Sequence, residues 1–544
     1  MSRELSTGRR IAAAAALIAV LTVVARVTGF ARTLVFAGAV GSTDLGAIYQ
    51  TANAIPNIIF EIVAGGALAT LVVPLLAGAV TDGDRERVAG TASALLTWTL
   101  ALLVPLALLV VLLAGPIVAL LGNNASPEAV AVGARMLRIF AVQVPLYGVG
   151  IVLTGVLHAH HRFAWPVLAP LLSSVTVIGA YVAFAAVDGP GTDVAGVSVA
   201  GELILALGTT LGVAVLTLCL FVPLRPLRLR LRPRWDVPVD LRRRAVGLAG
   251  AAVVTVTAQQ LATAYLIYLA NGGSRTGTLV VFLLVQTVFL LPWAVLAVPL
   301  STPTFPVLAA AAAAGDRERF DDTLSRVTRA VVLSAGLGTA ALIGVAVPVG
   351  QVLSAVTATH PSASTIAAGV VAFAPGLLGF SLFALLSRAL YAAGDARRAA
   401  VTTVIGWATT AVAALLLAAA VDPAQRVVAL GAANSVGMSV LGGALLVQVR
   451  RRRGRTAQVG LARALSTAVV GAAIAGGIGW WVGKAMAAVT PGVGGAVLAG
   501  MLASAAVVVC FLGLALVLDR GDLDALRRRR RRRPVGGVVK EEQG

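Results

Sequence analysis

The sequence predicts an all-α, polytopic membrane protein of about fourteen transmembrane helices, arranged as two six-helix lobes plus two C-terminal helices. Of its 544 residues, 58% are hydrophobic and 12% are charged, whereas soluble domains are typically about 45–50% apolar and about 25% charged. The apolar residues occur in runs of about twenty or more, which is the length of a helix that crosses a bilayer. Arginines are concentrated in every second connection between these runs, as the positive-inside rule predicts.

Fourteen apolar runs qualify as membrane helices by their length. They lie near residues 11–39, 48–79, 91–121, 135–158, 163–187, 197–224, 243–270, 278–304, 327–357, 366–393, 398–420, 426–449, 461–487 and 492–518. The first run is longer than the apolar core of a signal peptide, which has about 7–15 residues, so we interpret it as a retained helix.

The arginines also predict the orientation of the chain. Arg3, Arg9 and Arg10 precede the first run, which places the N-terminus in the cytoplasm. The following connections alternate between arginine-rich and nearly arginine-free, with Arg275 and Arg426 as the exceptions on the outer side. An even number of helices in a cell membrane, with both termini in the cytoplasm, follows. The net charge of +20 is thereby explained, and nucleic acid is not expected as a partner.

The longest basic connection runs from Arg225 to Arg244 and divides the chain. Two six-helix halves with a ligand site between them are a common transporter plan, although no repeat between the halves is evident in this sequence. We predict an N-lobe over 1–224 (helices 1–6), a basic cytoplasmic linker over 225–242, a C-lobe over 243–456 (helices 7–12), helices 13 and 14 over 457–520, and a polybasic cytoplasmic tail over 521–544.

The first helix carries two arginines at membrane depth, Arg26 and Arg32. A charge inside an apolar helix is costly and therefore indicates a function or a partner. Six residues turn an α-helix by about 600°, so the two side chains point about 120° apart and can border one wide cavity. Because the planar guanidinium fork suits phosphate, both residues are candidate substrate ligands. Snorkelling of the side chains to the interface is the alternative.

The second helix contains Pro56, which predicts a kink or a break, and Glu61. Glu61 has three interpretations. It is a charge partner for Arg26 or Arg32 that takes part in function, a site that exchanges a proton, or a member of a purely structural ion pair.

Further polar residues lie at membrane depth in the seventh and eighth helices. Gln259 and Gln286 are candidate cavity residues, although hydrogen bonds between helices explain them equally well. Pro292 and Pro299 make the eighth helix irregular, and irregular backbone at this depth has to line a cavity or be covered by protein. We therefore expect a hinge or a gate in this helix.

The sequence has no signature of an enzyme or of a bound cofactor. It lacks a Gly-rich phosphate-binding loop with a lysine, so an ATPase is not expected. Cys219 and Cys510 each lie alone, and the histidines around His160 have no carboxylate or thiol neighbours, so no metal site is predicted. We expect a transporter driven by an ion gradient, by the membrane potential or by downhill flow of its substrate.

Three stretches of the chain resemble the MurJ (MviN) family of lipid II flippases, within the multidrug/oligosaccharidyl-lipid/polysaccharide transporter superfamily. The first is Ala-Arg-Val-Thr-Gly-Phe-Ala-Arg at 25–32, continued by Ile-Pro-Asn at 55–57. The second covers residues 153–163, and the third is Leu-Ser-Arg-Ala-Leu-Tyr-Ala-Ala-Gly-Asp at 386–395. The fourteen-helix layout agrees, so the resemblance spans roughly residues 10–520.

The resemblance implies two lobes in a V shape around a cationic cavity. It also implies alternating access that carries lipid II, an undecaprenyl-pyrophosphate-linked disaccharide-pentapeptide, to the outer leaflet for peptidoglycan synthesis. Arg26 and Arg32 match the family's first-helix arginines, which are thought to face the pyrophosphate. This chain has Phe60 and Glu61 where relatives commonly have an arginine pair, and Thr287, beside Gln286, where they have an eighth-helix arginine. The cavity is therefore expected to be less cationic than usual.

Two alternatives remain open. A flippase of the same architecture for another polyprenyl-linked glycan would tolerate the changed cavity. A transport-inactive scaffold for cell-wall synthesis would instead recruit synthesis proteins, and the arginine run at 527–533 is the candidate surface for them.

Overall fold

The computed structural model describes residues 2–63, 69–227, 229–236, 239–273, 277–454 and 456–518. In these residues the regular structure is helical, without a strand. The α-helices are, in chain order, α1 (Ser2–Ala39), α2 (Asp44–Val63), α3 (Ala69–Thr81), α4 (Arg85–Leu112), α5 (Ala114–Gly122), α6 (Pro127–Phe140), α7 (Gln143–Ala159), α8 (Ala164–Val187), α9 (Val199–Leu218), α10 (Val239–Asn271), α11 (Thr278–Pro292), α12 (Val298–Ser301), α13 (Thr304–Ala313), α14 (Arg317–Gly344), α15 (Ala346–Val356), α16 (Ala363–Phe373), α17 (Gly376–Ala392), α18 (Ala396–Ala420), α19 (Arg426–Arg453), α20 (Leu461–Val489) and α21 (Gly492–Leu518).

The predicted membrane spans all have counterparts among these helices. Twelve helices or helix runs in the described part are long and apolar enough to cross a membrane, and α16 with α17, bent by 43°, make a thirteenth when counted together. The remaining predicted span, 48–79, corresponds to α2 and α3, which lie on either side of residues 64–68, outside the described part. The prediction of an all-α, multi-pass membrane protein is confirmed.

Three further predicted spans are also divided into two helices each: α4 and α5, α6 and α7, and α14 and α15. In every case the second helix has a proline as its third residue, namely Pro116, Pro145 and Pro348. Proline has no N–H, and its ring clashes with the carbonyl four residues earlier, so the hydrogen-bond ladder is interrupted within the preceding turn. The sequence therefore contains the reason for each break.

The eighth predicted span is irregular, as its prolines predict. A π-helical turn, Trp293–Ala297, joins α11 to α12, with Pro292 directly before it and Pro299 shortly after it. Single π-helical turns inside α-helices are frequent at functional sites. The role of this turn as a hinge or gate remains a prediction.

The helices form two compact units. Unit 1 takes in the chain up to Val288 together with Gly350–Phe373 and Asp395–Leu441, and unit 2 takes in Phe289–Val349, Ala374–Gly394 and the chain from Gly442. The units reflect which segments pack together, and the lobe boundaries predicted at 224 and 243 remain predictions.

Unit 1 has an aromatic core around Tyr49 of α2. The Tyr49 ring stacks on Phe36 at 5.3 Å between ring centroids and meets Phe140 edge-on at 5.7 Å. Its hydroxyl lies 2.9 Å from the Tyr181 hydroxyl and 2.7 Å from Thr209 Oγ1. Because an unpaired buried hydroxyl is costly, this network fixes α2 against α8 and α9.

Unit 2 is held together by α14, α20 and α21, which pack through small residues. A Cβ added to Gly479 would meet Val507 and lie 3.0 Å from Gly344 Cα, and one added to Gly336 would lie 2.7 Å from Ala468 Cβ. Small residues that allow backbones to approach are the usual basis of helix packing in lipid. The predicted helices 13 and 14, observed as α20 and α21, are an integral part of unit 2.

A pentapeptide, Gly-Asp-Arg-Glu-Arg, occurs twice, at 83–87 and at 315–319. It begins α4 and α14, the third helix of each predicted lobe. Gly83 and Gly315 have φ values of 69° and 68°, and each following aspartate caps its helix by accepting a 2.9 Å hydrogen bond from the second arginine's backbone N–H. The two halves therefore share a capped pentapeptide at corresponding helix starts, a similarity too short to be evident as a repeat in the sequence.

Candidate functional site

The two arginines of the first membrane span differ in their surroundings. Both lie in the part of α1, Val20–Ala39, that is apolar enough to cross a membrane. The Arg26 side chain is exposed on the surface of unit 1, whereas Arg32 is half-buried. The salt bridges between described residues include neither arginine.

Arg32 lies beside the buried tyrosine network of unit 1. It is close enough to the hydroxyls of Tyr49, Tyr147 and Tyr181 to interact with each of them electrostatically. Tyr49 and Tyr181 are tied to each other and to Thr209 by hydrogen bonds, so their hydroxyls have fixed positions. The environment of Arg32 is therefore polar and organised, although it lies inside an apolar helix bundle.

Tyr147 of α7 is the residue that connects Arg32 with the second helix. Its hydroxyl donates a 3.1 Å hydrogen bond to Asn57 Oδ1, and its ring centroid lies 4.4 Å from that of Phe60. The carboxyl of Glu61, the next residue, also interacts electrostatically with Tyr147. The structure therefore brings Arg32 and Glu61 to the same tyrosine.

Glu61 forms no ion pair with Arg26 or Arg32 among the described residues. Its interpretations as a functional charge partner of Arg26 or Arg32, as a proton site, and as a member of a structural ion pair remain predictions. The Glu61 side chain is exposed at the surface of α2, so it is not buried within unit 1.

Two asparagines of α2 flank Pro56 and were missed from the sequence. Asn57 Nδ2 donates a 2.6 Å hydrogen bond to the Asn53 carbonyl oxygen, one turn earlier. Asn53 Oδ1 is buried and has no hydrogen-bond partner in the described part of the chain. A buried polar atom without a partner is unusual and can be satisfied by water or by a ligand. The signal in the sequence was the spacing of these asparagines by four residues around a proline in a membrane helix.

The other candidate cavity residues also belong to unit 1. Gln259 is half-buried on α10, which packs against α2. Gln286 and Thr287 are half-buried on α11, and the Thr287 hydroxyl donates a 2.8 Å hydrogen bond to the Leu283 carbonyl within its own helix. Among the described hydrogen bonds, none joins these three residues to Arg26, Arg32 or Glu61. Their role in a cavity remains a prediction.

At the other end of α1, unit 1 is closed by contacts between segments from the two halves of the chain. Ser42 donates a 3.0 Å backbone hydrogen bond to Thr359 Oγ1, and the two hydroxyl oxygens are 2.6 Å apart. The Ala358 N–H donates a 3.0 Å hydrogen bond to the Ala37 carbonyl. These residues belong to connections that the arginine pattern assigns to the outer side of the membrane.

Two asparagines add further contacts at this end of unit 1. Asn271 Nδ2 donates 2.8 Å hydrogen bonds to Thr51 Oγ1 and to the Leu121 carbonyl. Asn123 Nδ2 donates a 3.0 Å hydrogen bond to the Tyr268 carbonyl. Sequence reasoning missed these contacts, because they join residues more than a hundred positions apart and follow no local pattern.

Comparison with protein families shows a match over most of the chain. A family model described as "Lipid II flippase MurJ" matches residues 36–497. The "Probable lipid II flippase MurJ" of Synechocystis sp. is 28% identical over 410 residues, which cover 73% of this chain and 74% of that protein. The "Lipid II flippase MurJ" of Burkholderia cenocepacia is 27% identical over 386 residues, which cover 69% of this chain and 72% of that protein.

Solved structures show the same architecture. A lipid II flippase MurJ in an inward closed conformation matches with a TM-score of 0.71 at 16% identity, covering 93% of this chain and 99% of that chain. An inward-facing MATE family multidrug resistance transporter of the MOP superfamily matches with a TM-score of 0.65 at 14% identity, covering 80% and 96%. At these identities the likeness concerns the fold. The family match begins at residue 36, so Arg26 and Arg32 lie outside it.

Proposed function

The chain belongs to the MurJ family of lipid II flippases, and from this premise we propose that it moves lipid II to the outer leaflet of the cell membrane by alternating access. The observation that carries the proposal is the family match over residues 36–497, which includes all predicted membrane spans except the first and the last. A transporter of this kind binds and releases its lipid-linked substrate without changing it chemically.

The substrate chemistry fits the residues around Arg32. A pyrophosphate presents several anionic oxygens, and a guanidinium group offers a planar fork of donors that suits them. Arg26 is exposed on α1, and Arg32 interacts electrostatically with Tyr147, whose hydroxyl donates a hydrogen bond to Asn57. We assign the two arginines to the pyrophosphate. The neutral polar groups beside Arg32 are suited to hydroxyl groups of the sugar.

Alternating access requires an outer end that opens and closes. We propose that the contacts of Ser42 with Thr359, and of Asn271 with Thr51 and Leu121, form the closed outer gate. Hydrogen bonds of this kind are individually weak, with a net contribution of about 0.5–1.5 kcal/mol each, so a few of them can hold a gate that still opens.

The driving force is proposed to be the membrane potential or an ion gradient, with no bound cofactor. Moving one elementary charge through 100 mV is worth about 2.3 kcal/mol. A pyrophosphate is an anion, so an inside-negative potential favours its outward movement. This direction agrees with a substrate that is loaded at the cytoplasmic side, where the termini are predicted to lie.

The test is to measure how much lipid II reaches the outer leaflet in cells that depend on this protein as their sole lipid II flippase. We expect Arg26→Ala and Arg32→Ala to lower that amount at least about tenfold, because hydrogen bonds to charged groups are worth about 1.5–3 kcal/mol. Arg463→Ala is the matched control, since Arg463 is an exposed arginine on α20, and it is expected to behave like the wild type.

Three outcomes discriminate between the functions considered. Normal lipid II exposure after depletion of the protein would contradict the flippase function. Full activity of both arginine variants would contradict the assigned site. Loss of growth on removing residues 527–533, with lipid II exposure unchanged, would support a scaffold instead. Setting the membrane potential of vesicles with valinomycin tests the driving force. A transport rate that does not depend on the potential would exclude the potential and leave the ion gradient.

A further inference from the structure

Part of the basic linker lies along α4 as an extended segment, residues 229–236. The Arg232 N–H donates a 3.1 Å hydrogen bond to Ser93 Oγ, and the Arg234 N–H donates a 3.0 Å hydrogen bond to Thr97 Oγ1. Two residues of extended chain advance about 6.6 Å, and four residues of helix advance about 6 Å. The segment and the helix therefore match in spacing, and the linker is held in a defined position on unit 1.

The segment is amphipathic with a period of two. Leu229 and Leu231 pack against the apolar cluster formed by α3, α4 and α7. Arg230, Arg232 and Arg234 alternate with them and are exposed. Alternation of this kind puts the two residue types on opposite faces of an extended chain. The apolar face anchors the segment, and the other face presents a row of guanidinium groups.

These arginines line a cavity of about 570 Å³ together with the start of α4. The charged residues of its lining are Arg85, Glu86, Arg230, Arg232 and Arg234. A Cβ added to Gly90 would lie 2.6 Å from an Arg234 guanidinium nitrogen, so a side chain at this position would displace the end of Arg234.

The described carboxylates near the cavity offset its positive charge only in part, because four arginines and one carboxylate, Glu86, line it and Asp84 caps the adjoining start of α4. Among the described residues, one arginine of the lining forms an ion pair. Arg234 lies 3.9 Å from Asp236, and the two side chains are 54% and 89% exposed. Exposed pairs of this kind contribute little. The second copy of the pentapeptide differs, because Arg453, which lines the cavity beside it, forms a 2.8 Å ion pair with Asp321 and stacks on Phe320.

A tryptophan pair marks the membrane depth of this region. Trp98 and Trp235 meet edge to face at 5.4 Å, and Trp98 Nε1 donates a 3.2 Å hydrogen bond to the Trp235 carbonyl. Both side chains remain more than half exposed, at 51% and 60%. Exposed tryptophans are enriched at the level of the lipid headgroups. The neighbouring arginines thus lie where phosphodiester groups are found.

We propose that this cavity binds the phosphate of an anionic phospholipid in the leaflet predicted to face the cytoplasm. The arginines of 230–234 and Arg85 contact the phosphate, while Leu229, Leu231 and the tryptophans hold the segment at the interface. Free inorganic phosphate shares this chemistry, but it gains nothing from a site at headgroup depth. The proposal concerns binding, and it holds or fails independently of whether the protein flips lipid II.

The experiment measures the binding of fluorescent phosphatidylglycerol to the full-length protein in phosphatidylcholine nanodiscs. We expect saturable binding that weakens at least about tenfold in R230Q/R232Q/R234Q, since each arginine removed deletes a charge-assisted hydrogen bond. R317Q/R319Q alters the second copy of the pentapeptide and is expected to bind as the wild type does. Size-exclusion profiles and melting temperatures verify that both variants are folded.

A second variant separates a defined cavity from general electrostatic attraction. Gly90→Leu keeps every charge in the sequence but puts a side chain where the Arg234 guanidinium group lies, since an added Cβ is 2.6 Å from its nitrogen. We expect it to weaken binding as well. Any of three results would overturn the proposal. These are wild-type lipid binding by Gly90→Leu, an equal loss of binding in the two arginine variants, and an equal affinity of the protein for phosphatidylcholine. A soluble-anion site would behave differently. Millimolar inorganic phosphate would displace the lipid, and phosphate would bind tightly when no lipid is present, which would contradict the lipid assignment.

Discussion

At the scale of the residue, the polar groups of unit 1 are organised around tyrosines. Arg26, Arg32 and Glu61 could be singled out from the sequence, because a charge inside an apolar run is conspicuous by itself. Tyr147 and Tyr181 could not, since a tyrosine in a membrane helix is common and carries no charge. Their importance becomes visible only when the fold places them beside Arg32.

The hydroxyl network of Tyr49 gives a prediction on stability. Tyr49→Phe keeps the ring stacked on Phe36 and removes the hydroxyl that meets Tyr181 and Thr209. We expect a loss of about 1–3 kcal/mol in the free energy of unfolding, because two buried hydroxyls lose a partner. Thermal unfolding in detergent measures this loss of stability as a lower melting temperature.

Tyr265→Phe is the control for this prediction. Tyr265 stacks on Tyr268 at 6.0 Å and has no hydroxyl hydrogen bond among the described residues. Equal melting temperatures for the two variants would show that the Tyr49 network contributes nothing to stability.

At the scale of the element, the sequence predicted helices well and their interruptions less well. The spans followed from run length, and the fold class needed nothing more. The breaks before α5, α7 and α15 are encoded by Pro116, Pro145 and Pro348, yet membrane helices often tolerate proline, so the sequence alone does not tell a kink from a break. In the sequence, the linker segment 229–236 is conspicuous for its arginines. Its alternating leucines, Leu229 and Leu231, are the residues that pack against unit 1.

The packing of α14, α20 and α21 gives a prediction at this scale. Gly479 and Gly477 lie on the same helix, but a Cβ at Gly479 would meet Val507, whereas a Cβ at Gly477 meets nothing within 4 Å. We expect Gly479→Val to destabilise unit 2 by about 1–3 kcal/mol through overpacking. Gly477→Val has the same change in helix propensity, so it is expected to keep the wild-type melting temperature. A similar melting temperature for both variants would contradict this view of the helix contact.

At the scale of the whole molecule, the chain joins distant segments at the end that the arginine pattern assigns to the outer side. No local sequence pattern predicts the hydrogen bonds of Ser42 with Thr359 and of Asn271 with Thr51, because such pairs depend on how the two halves of the chain come together. The arginine pattern could place these connections on one side of the membrane. It could not show that they contact each other.

The outer gate gives a prediction for transport. In a Cys219→Ser, Cys510→Ser background, Ser42→Cys with Thr359→Cys places two thiols where the hydroxyl oxygens are 2.6 Å apart. We expect oxidation to join them and to stop lipid II from reaching the outer leaflet, because the gate can then no longer open. Reduction is expected to restore transport.

The single variant Ser42→Cys, treated with the same oxidant, controls for damage to the protein and is expected to remain active. Transport at the wild-type rate in a protein whose two cysteines are fully joined would mean that these contacts do not have to separate.

The extended segment of the linker has one more consequence, for how copies of the protein meet in a crowded membrane. An extended stretch with an open side offers a row of backbone donors on which a neighbour's chain can add as a strand. Here the amides of Arg232 and Arg234 are engaged by α4, and the residue between them, whose amide would point the other way, is Pro233. Proline has no N–H, so the outward row is interrupted at its middle. The stretch is thereby a poor template for intermolecular sheet formation.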